Sequence, residues 1–141
     1  RSHRARRVTF LADTSMVIRL RRGQDVQPRW VDAVRAGLVG VCPVVEAELV
    51  RATTSRADRD QLRGHLRSLF GWHPMPDDAW RFVERTQDAL VDLGQHKGPS
   101  VVDLLVAATA EAWGLTVLHV DADFDTIARV APVKVRRADK P

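Results

Sequence analysis

Short apolar runs rich in β-branched residues alternate along this chain with stretches whose apolar positions recur at helical spacing. Val8–Ala12 reads as a buried strand, and Met16, Val17, Ile18 and Leu20 mark a short helix after it. Val31–Ala36 is predicted helical and ends at Gly37, and Leu38–Cys42 is a second strand. Pro43 suits the first turn of the next helix, over Val44–Ala52, because an N–H there would have no partner anyway. Leu62, Leu66, Leu69 and Phe70 give Arg59–Leu69 a helical period, and Trp72–Met75 is a candidate short strand. Asp77–Leu93 is amphipathic through Trp80, Val83 and Leu90, with Gly94 as its C-cap. Ser100–Trp113 is the most hydrophobic helix and stops at Gly114. A strand over Thr116–Val120, a helix over Asp123–Val130 and a last strand over Val133–Val135 complete the pattern.

Strands separated by helices imply an α/β fold: a three-layer sandwich with a mainly parallel sheet of four or five strands flanked by helices. In such sheets the functional site lies beyond the carboxyl ends of the strands. No repeat, low-complexity tract or Gly/Ser linker divides the chain. Its 141 residues suffice for one domain with a real core. Residues 1–7 are expected to form a basic tail and residues 8–141 the domain.

Composition narrows the classes further. Cys42 is the one cysteine, so no internal disulfide can form, and the cytoplasm is the expected compartment. The 5 histidines are scattered without zinc-ligand spacing. No apolar stretch is long enough to span a bilayer, and Val8–Ala12 is too short for a signal-peptide core. Lysine plus arginine outnumber acids by 22 to 18, and arginines crowd both ends and the first helix at Arg19, Arg21 and Arg22. Positive charge attracts a polyanion, and the guanidinium fork suits phosphate oxygens. An ordinary solvated surface would carry the same charges.

The acids carry the chemistry. Asp13 ends the first strand, where a carboxylate serves either a site or a helix cap. Asp103 sits near the start of a helix that is apolar nearly all round, where an ionised carboxylate needs a cation, a donor or a raised pKa. Ser100, three residues earlier, offers the alternative of a capping box. Asp121 follows the strand Val117–Val120, and Asp123 and Asp125 follow it. A calcium loop fails here, because Thr126 and Pro132 stand where its glycine and final glutamate belong. Asp121 is expected to face a site, Asp123 to cap the next helix or assist a metal, and Asp125 to answer the helix dipole. Glu46 and Glu48 project to nearly opposite sides of one helix, and periodicity does not choose between them. Carboxylates gathered in one cleft repel each other, and a divalent cation relieves that; an all-oxygen set suits magnesium or manganese.

These residues resemble the PIN domain, most closely the VapC-type toxins of bacterial toxin–antitoxin modules. The carriers are Leu11-Ala12-Asp13-Thr14-Ser15, Ala47-Glu48-Leu49, the run from Pro99 to Ala110 around Asp103, and Leu118-His119-Val120-Asp121-Ala122-Asp123-Phe124. The resemblance spans about Val8 to Val135 and selects Glu48 over Glu46. The family often has Thr or Ser where His119 stands here. It implies a homodimer, magnesium-dependent cleavage of structured RNA such as tRNA or ribosomal RNA with arrest of translation and growth, and neutralisation by a VapB-like antitoxin.

On that resemblance, Asp13, Glu48, Asp103 and Asp121 are the expected catalytic acids and hold Mg2+ (or Mn2+), with Asp123 as a further ligand. Arg19, Arg21, Arg22 and Lys97, the last beside His96, are the expected RNA contacts. Three rivals stand against this. An aspartate-nucleophile phosphatase reading of Asp121-Ala122-Asp123 lacks the downstream residues such an enzyme needs. A PIN-like module that binds RNA or protein without cutting would not need the whole acid set. A nuclease acting on DNA remains compatible with the same chemistry.

Overall fold

The computed structural model describes residues 7–141, so most of the expected basic tail lies outside the described residues. The order is β1 (Phe10–Ala12), α1 (Thr14–Arg22), α2 (Pro28–Arg35), β2 (Val39–Val41), α3 (Pro43–Arg51), α4 (Arg56–Leu69) and β3 (Gly71–Trp72). There follow α5 (Ala79–Asp92), α6 (Val101–Trp113), β4 (Thr116–His119), α7 (Ala122–Ala128) and β5 (Lys134–Arg137).

One five-stranded sheet runs in the order β3-β2-β1-β4-β5, and every pairing is parallel. The three-layer expectation therefore holds. Parallel neighbours cannot be joined by tight turns, so each connection carries helices that cover the sheet. The burial follows: Val39, Gly40 and Val41 of β2 are all buried, as in a strand roofed on both faces. The core joins Leu11, Val39, Val117 and Leu118 of the sheet to Met16, Val17, Val45, Leu90, Leu104 and Ile127 of the helices.

Local chemistry explains most boundaries. Pro43 opens α3 and Pro28 opens α2. Gly114, at φ 68°, takes the left-handed conformation that ends α6, which L side chains rarely adopt. Two expectations are corrected. β3 is Gly71–Trp72 rather than Trp72–Met75, because its extent is set by pairing with β2, Gly40 against Gly71 and Val41 against Trp72. Trp80 is not on the buried face of α5: it is 61% exposed, and Ala79, Phe82, Val83, Thr86 and Leu90 form that face.

The strand order reverses at β1. β2 and β3 lie on one side and β4 and β5 on the other, so the helices that leave β1 and β4 diverge and open a crevice at their carboxyl ends. Asp13 directly follows β1, and Asp121 comes two residues after β4. A strand run before each acid fixes its place at this crevice.

Candidate active site

Three carboxylates meet at the crevice. Asp103, Asp121 and Asp123 each place an oxygen within 4.8 Å of the others, and all three are half-buried. Asp103 comes from the first turn of α6, and Asp121 and Asp123 from the start of α7. Asp13 approaches the same point. It is 5% exposed, and Asp103 and Asp121 are close enough to act on its charge.

Three of these acids are each held by a backbone N–H. The Met16 N–H donates to Asp13 Oδ1 at 2.9 Å, making Asp13 the N-cap of α1. Ser100 N–H donates to Asp103 Oδ2 at 3.0 Å while the Asp103 N–H donates back to Ser100 Oγ at 3.1 Å. That is a complete capping box, so both expectations for Asp103, cap and cleft acid, describe the same side chain. The Asp123 N–H donates to Asp121 Oδ1 at 2.8 Å. Asp121 is thus the N-cap of α7 as well as a member of the cluster, and Asp123, expected either to cap that helix or to assist a metal, lies in its first turn beside the cluster.

The electrostatics reflect a shared, poorly solvated negative charge. Burial pushes the Asp13 carboxyl up from 3.8 to about 7, with Asp103 and Asp121 adding to the rise and the Met16 N–H and Arg19 opposing it. Burial also raises Asp103, helped by Asp121 and Asp123, against the hydrogen bonds from Ser100. Asp123 is raised by burial first and then by Asp121. A cleft that resists ionisation without a counter-ion, and offers only oxygen donors, fits a hard divalent cation.

Glu48 is not among the three clustered acids. It reaches the site through a neighbour: Thr14 Oγ1 donates to Glu48 Oε1 at 2.6 Å, and Thr14 directly follows Asp13. Glu46 turns the other way, to Arg63 at 3.5 Å and Arg67 at 3.3 Å on α4. Thr14 was visible in the sequence only as part of a motif; nothing local shows that it bonds a residue 34 positions away.

His119 is wholly buried under this turn. Its Nδ1 accepts from the Asp121 N–H at 3.1 Å, so the imidazole supplies an acceptor to the backbone beneath the acid. The neutral ring must then carry its proton on Nε2, which lies 3.5 Å from Asp125 Oδ1, an electrostatic contact rather than a hydrogen bond. Burial holds the His119 pKa down, with Asp125 opposing. Asp125 faces away from the cluster, toward Arg137 at 3.3 Å. Arg137 also donates to the Val120 carbonyl at 3.3 Å, tying β5 to the turn that carries Asp121; sequence reasoning had not singled it out.

The four expected RNA contacts separate. Arg19 acts on Asp13, while Arg21 and Arg22 line a different cleft of about 340 Å³ between α1, α3 and α4. Lys97 is exposed on the loop before α6, next to Gly98. A Cβ on Gly98 would stand 3.0 Å from Asp123 Oδ1, so this loop passes directly against the acids.

The sequence model of the family described as "PIN domain" matches residues 10–130. Ribonuclease VapC2 of Mycobacterium tuberculosis is 38% identical over 132 residues, covering 91% of this chain and 91% of that protein. Ribonuclease VapC6 of the same organism is 37% identical over 100 residues, 70% of this chain and 79% of that protein. Among solved structures, VapBC-5 from Mycobacterium tuberculosis, a member of the VapBC family of toxin-antitoxin systems, superposes with a TM-score of 0.64 at 27% identity. It covers 92% of this chain and 98% of that one. No helix among the described residues is long and apolar enough to cross a membrane.

Proposed function

This chain belongs to the PIN-domain family, and from that premise we propose that it is a Mg2+-dependent endoribonuclease, the toxin of a VapBC-type pair. The observation that carries the reading is the meeting of Asp103, Asp121 and Asp123, with Asp13 beside them, at the point where the strand order reverses. Residues far apart in the sequence supply this set, and a merely structural role for each would not bring them together.

Asp103, Asp121 and Asp123 would hold the ion, with Asp13 closing the set from β1 and Glu48 bracing Thr14 behind it. A divalent cation bound there supplies Lewis acidity, a more acidic water and neutralisation of phosphate charge. The protein's own work is positioning. The capping hydrogen bonds fix three carboxylates before any substrate arrives, and Asp13, raised to about 7 by its burial, is part-protonated near neutrality, a state that a bound cation would shift toward the carboxylate. Arg19, already within range of Asp13, is placed to meet a phosphate oxygen. No side-chain nucleophile is needed.

The substrate class, structured RNA, follows the named ribonuclease relatives. Growth arrest on expression, homodimerisation and capture by a VapB-like antitoxin belong to the same proposal, as does a cytoplasmic site of action. The test is Asp103→Asn. Asparagine keeps an acceptor for the Ser100 N–H, so the cap survives while one charge leaves. Loss of an outer-shell partner typically costs about 10–100-fold, so loss of a ligand charge is expected to lower RNA cleavage more than 100-fold. Thermal midpoint in chelator should hold or rise. Cleavage and toxicity equal to wild type would remove Asp103 from the site.

A further inference from the structure

A cavity of about 260 Å³ opens beside the acids, between α1, the loop joining it to α2, the residue after β4 and the segment after β5. It shares walls with the acid site. Met16, on its floor, gives the N–H that holds Asp13, and Val120, on its side, directly precedes Asp121. We propose that this cavity seats one nucleobase of the RNA, next to the phosphate that is cut, and that the Gln27 side chain reads the edge of that base. The inference rests on the ribonuclease reading above.

The lining argues for a flat ligand that packs on polarisable surface. Met16, Val26 and Val120 offer apolar and polarisable surface of the kind on which a base ring packs. At the rim, Arg19 donates to the Asp25 carbonyl at 3.1 Å, and the Asp139 carboxylate is paired with Arg137 at 3.1 Å. Gln27 is the uncharged polar wall. It occupies the N-cap position of α2 yet makes no capping hydrogen bond with its side chain, so the amide is not committed to the helix. A primary amide carries both donor and acceptor, and that pairing matches the edge of a base. The volume is below the roughly 300–1,000 Å³ of drug-sized pockets, which suits a single ring system rather than a longer ligand.

The test follows the methyl resonances of Val26 and Val120 in the full chain with Mg2+ present. The probes are the four ribonucleoside 5′-monophosphates, inorganic phosphate and arginine amide. Nucleotides should shift both methyls, with about a tenfold spread in affinity between bases, as one good edge contact supplies, and inorganic phosphate should not. Gln27→Ala loses no cap bond, and it should still bind while the spread between bases collapses. Methyls that ignore all four nucleotides, or respond equally to phosphate, would overturn the proposal. So would a preference for arginine amide, which would mark a seat for a partner protein's side chain, or an unchanged base preference in Gln27→Ala. Failure of the wild-type protein to cut any RNA would overturn the enzymatic reading and leave the methyl shifts to decide the cavity.

Discussion

Asp13 should make the metal-free protein lose stability as pH rises, because folding holds its carboxyl at about 7 against an ordinary value near 3.8. The folded state keeps a proton that the unfolded chain has released over that whole window. Stability therefore declines with pH between about 4 and 7 and levels off above, where both states are ionised. The difference is worth about 4 kcal/mol at full extent, an upper bound because part of the rise comes from Asp103 and Asp121, which also titrate. Asp13→Asn removes the proton binding and keeps an acceptor for the Met16 N–H, and asparagine is as good an N-cap as aspartate. Urea unfolding of chelated wild type and variant at intervals from pH 4 to pH 8.5 gives the comparison. The variant should gain on wild type from pH 4 to about 7 and hold that gain above, at about 2–4 kcal/mol. Mg2+ should restore wild type most at high pH and the variant least, since an ion that binds only the folded state stabilises by mass action. A stability difference that stays constant from pH 4 to pH 8.5 would refute the buried, proton-holding Asp13.

Other outcomes follow from the same geometry. Glu48→Gln should cut RNA cleavage about tenfold or more through loss of the charge that orients Thr14, whereas Glu46→Gln should leave it within twofold; parallel cleavage assays compare them. Asp125→Asn loosens a half-exposed pair with Arg137, so denaturation should show a change of less than about 1 kcal/mol, with cleavage nearly intact. A large loss of activity there would mean that Asp125, not Asp121 or Asp123, serves the cleft. Gly40→Ala places a Cβ 2.5 Å from His73 Nδ1, an overlap expected to cost about 1–3 kcal/mol in unfolding measurements. The double variant with His73→Ala should lose less than the two single changes together.

The strands, most helices and their caps were legible because each is encoded locally. β-branched runs mark strands, Pro43 opens a helix and Gly114 closes one, whereas α2 starts at Pro28, ahead of the expected Val31. What failed locally was short or long-range. A two-residue strand such as Gly71–Trp72 has no period to read, and its limits come from the partner strand. Trp80 looked apolar enough for the inner face of α5, but burial follows helix rotation against α6, which Phe82 and Val83 win. The acids themselves were visible from their place after strands and at helix starts. Their gathering was not legible in the local pattern and was expected only from the family resemblance, because strand order is a tertiary fact: β1 and β4 lie side by side although more than a hundred residues separate them. The same holds for Glu48, whose choice over Glu46 depends on Thr14 across two helices, and for His119, whose Nδ1 meets a backbone N–H only once the turn is formed.

The competition between capping and chemistry that each aspartate poses in the sequence dissolves in the structure for a physical reason. A carboxylate has two oxygens and about four lone-pair directions, so accepting one backbone N–H does not exclude binding a cation with the other oxygen. Asp13 caps α1, Asp103 completes the box of α6 and Asp121 caps α7, which turns the positive ends of three helix dipoles toward one cleft. Those dipoles and N–H groups offset part of the repulsion among acids that burial worsens. Burial first, and the remaining repulsion second, hold the pKa values of Asp13, Asp103 and Asp123 up. That residual is what a divalent ion would relieve on binding. The caps are therefore what allows an acidic cleft of this kind to fold without a cation, at a cost in stability concentrated on Asp13.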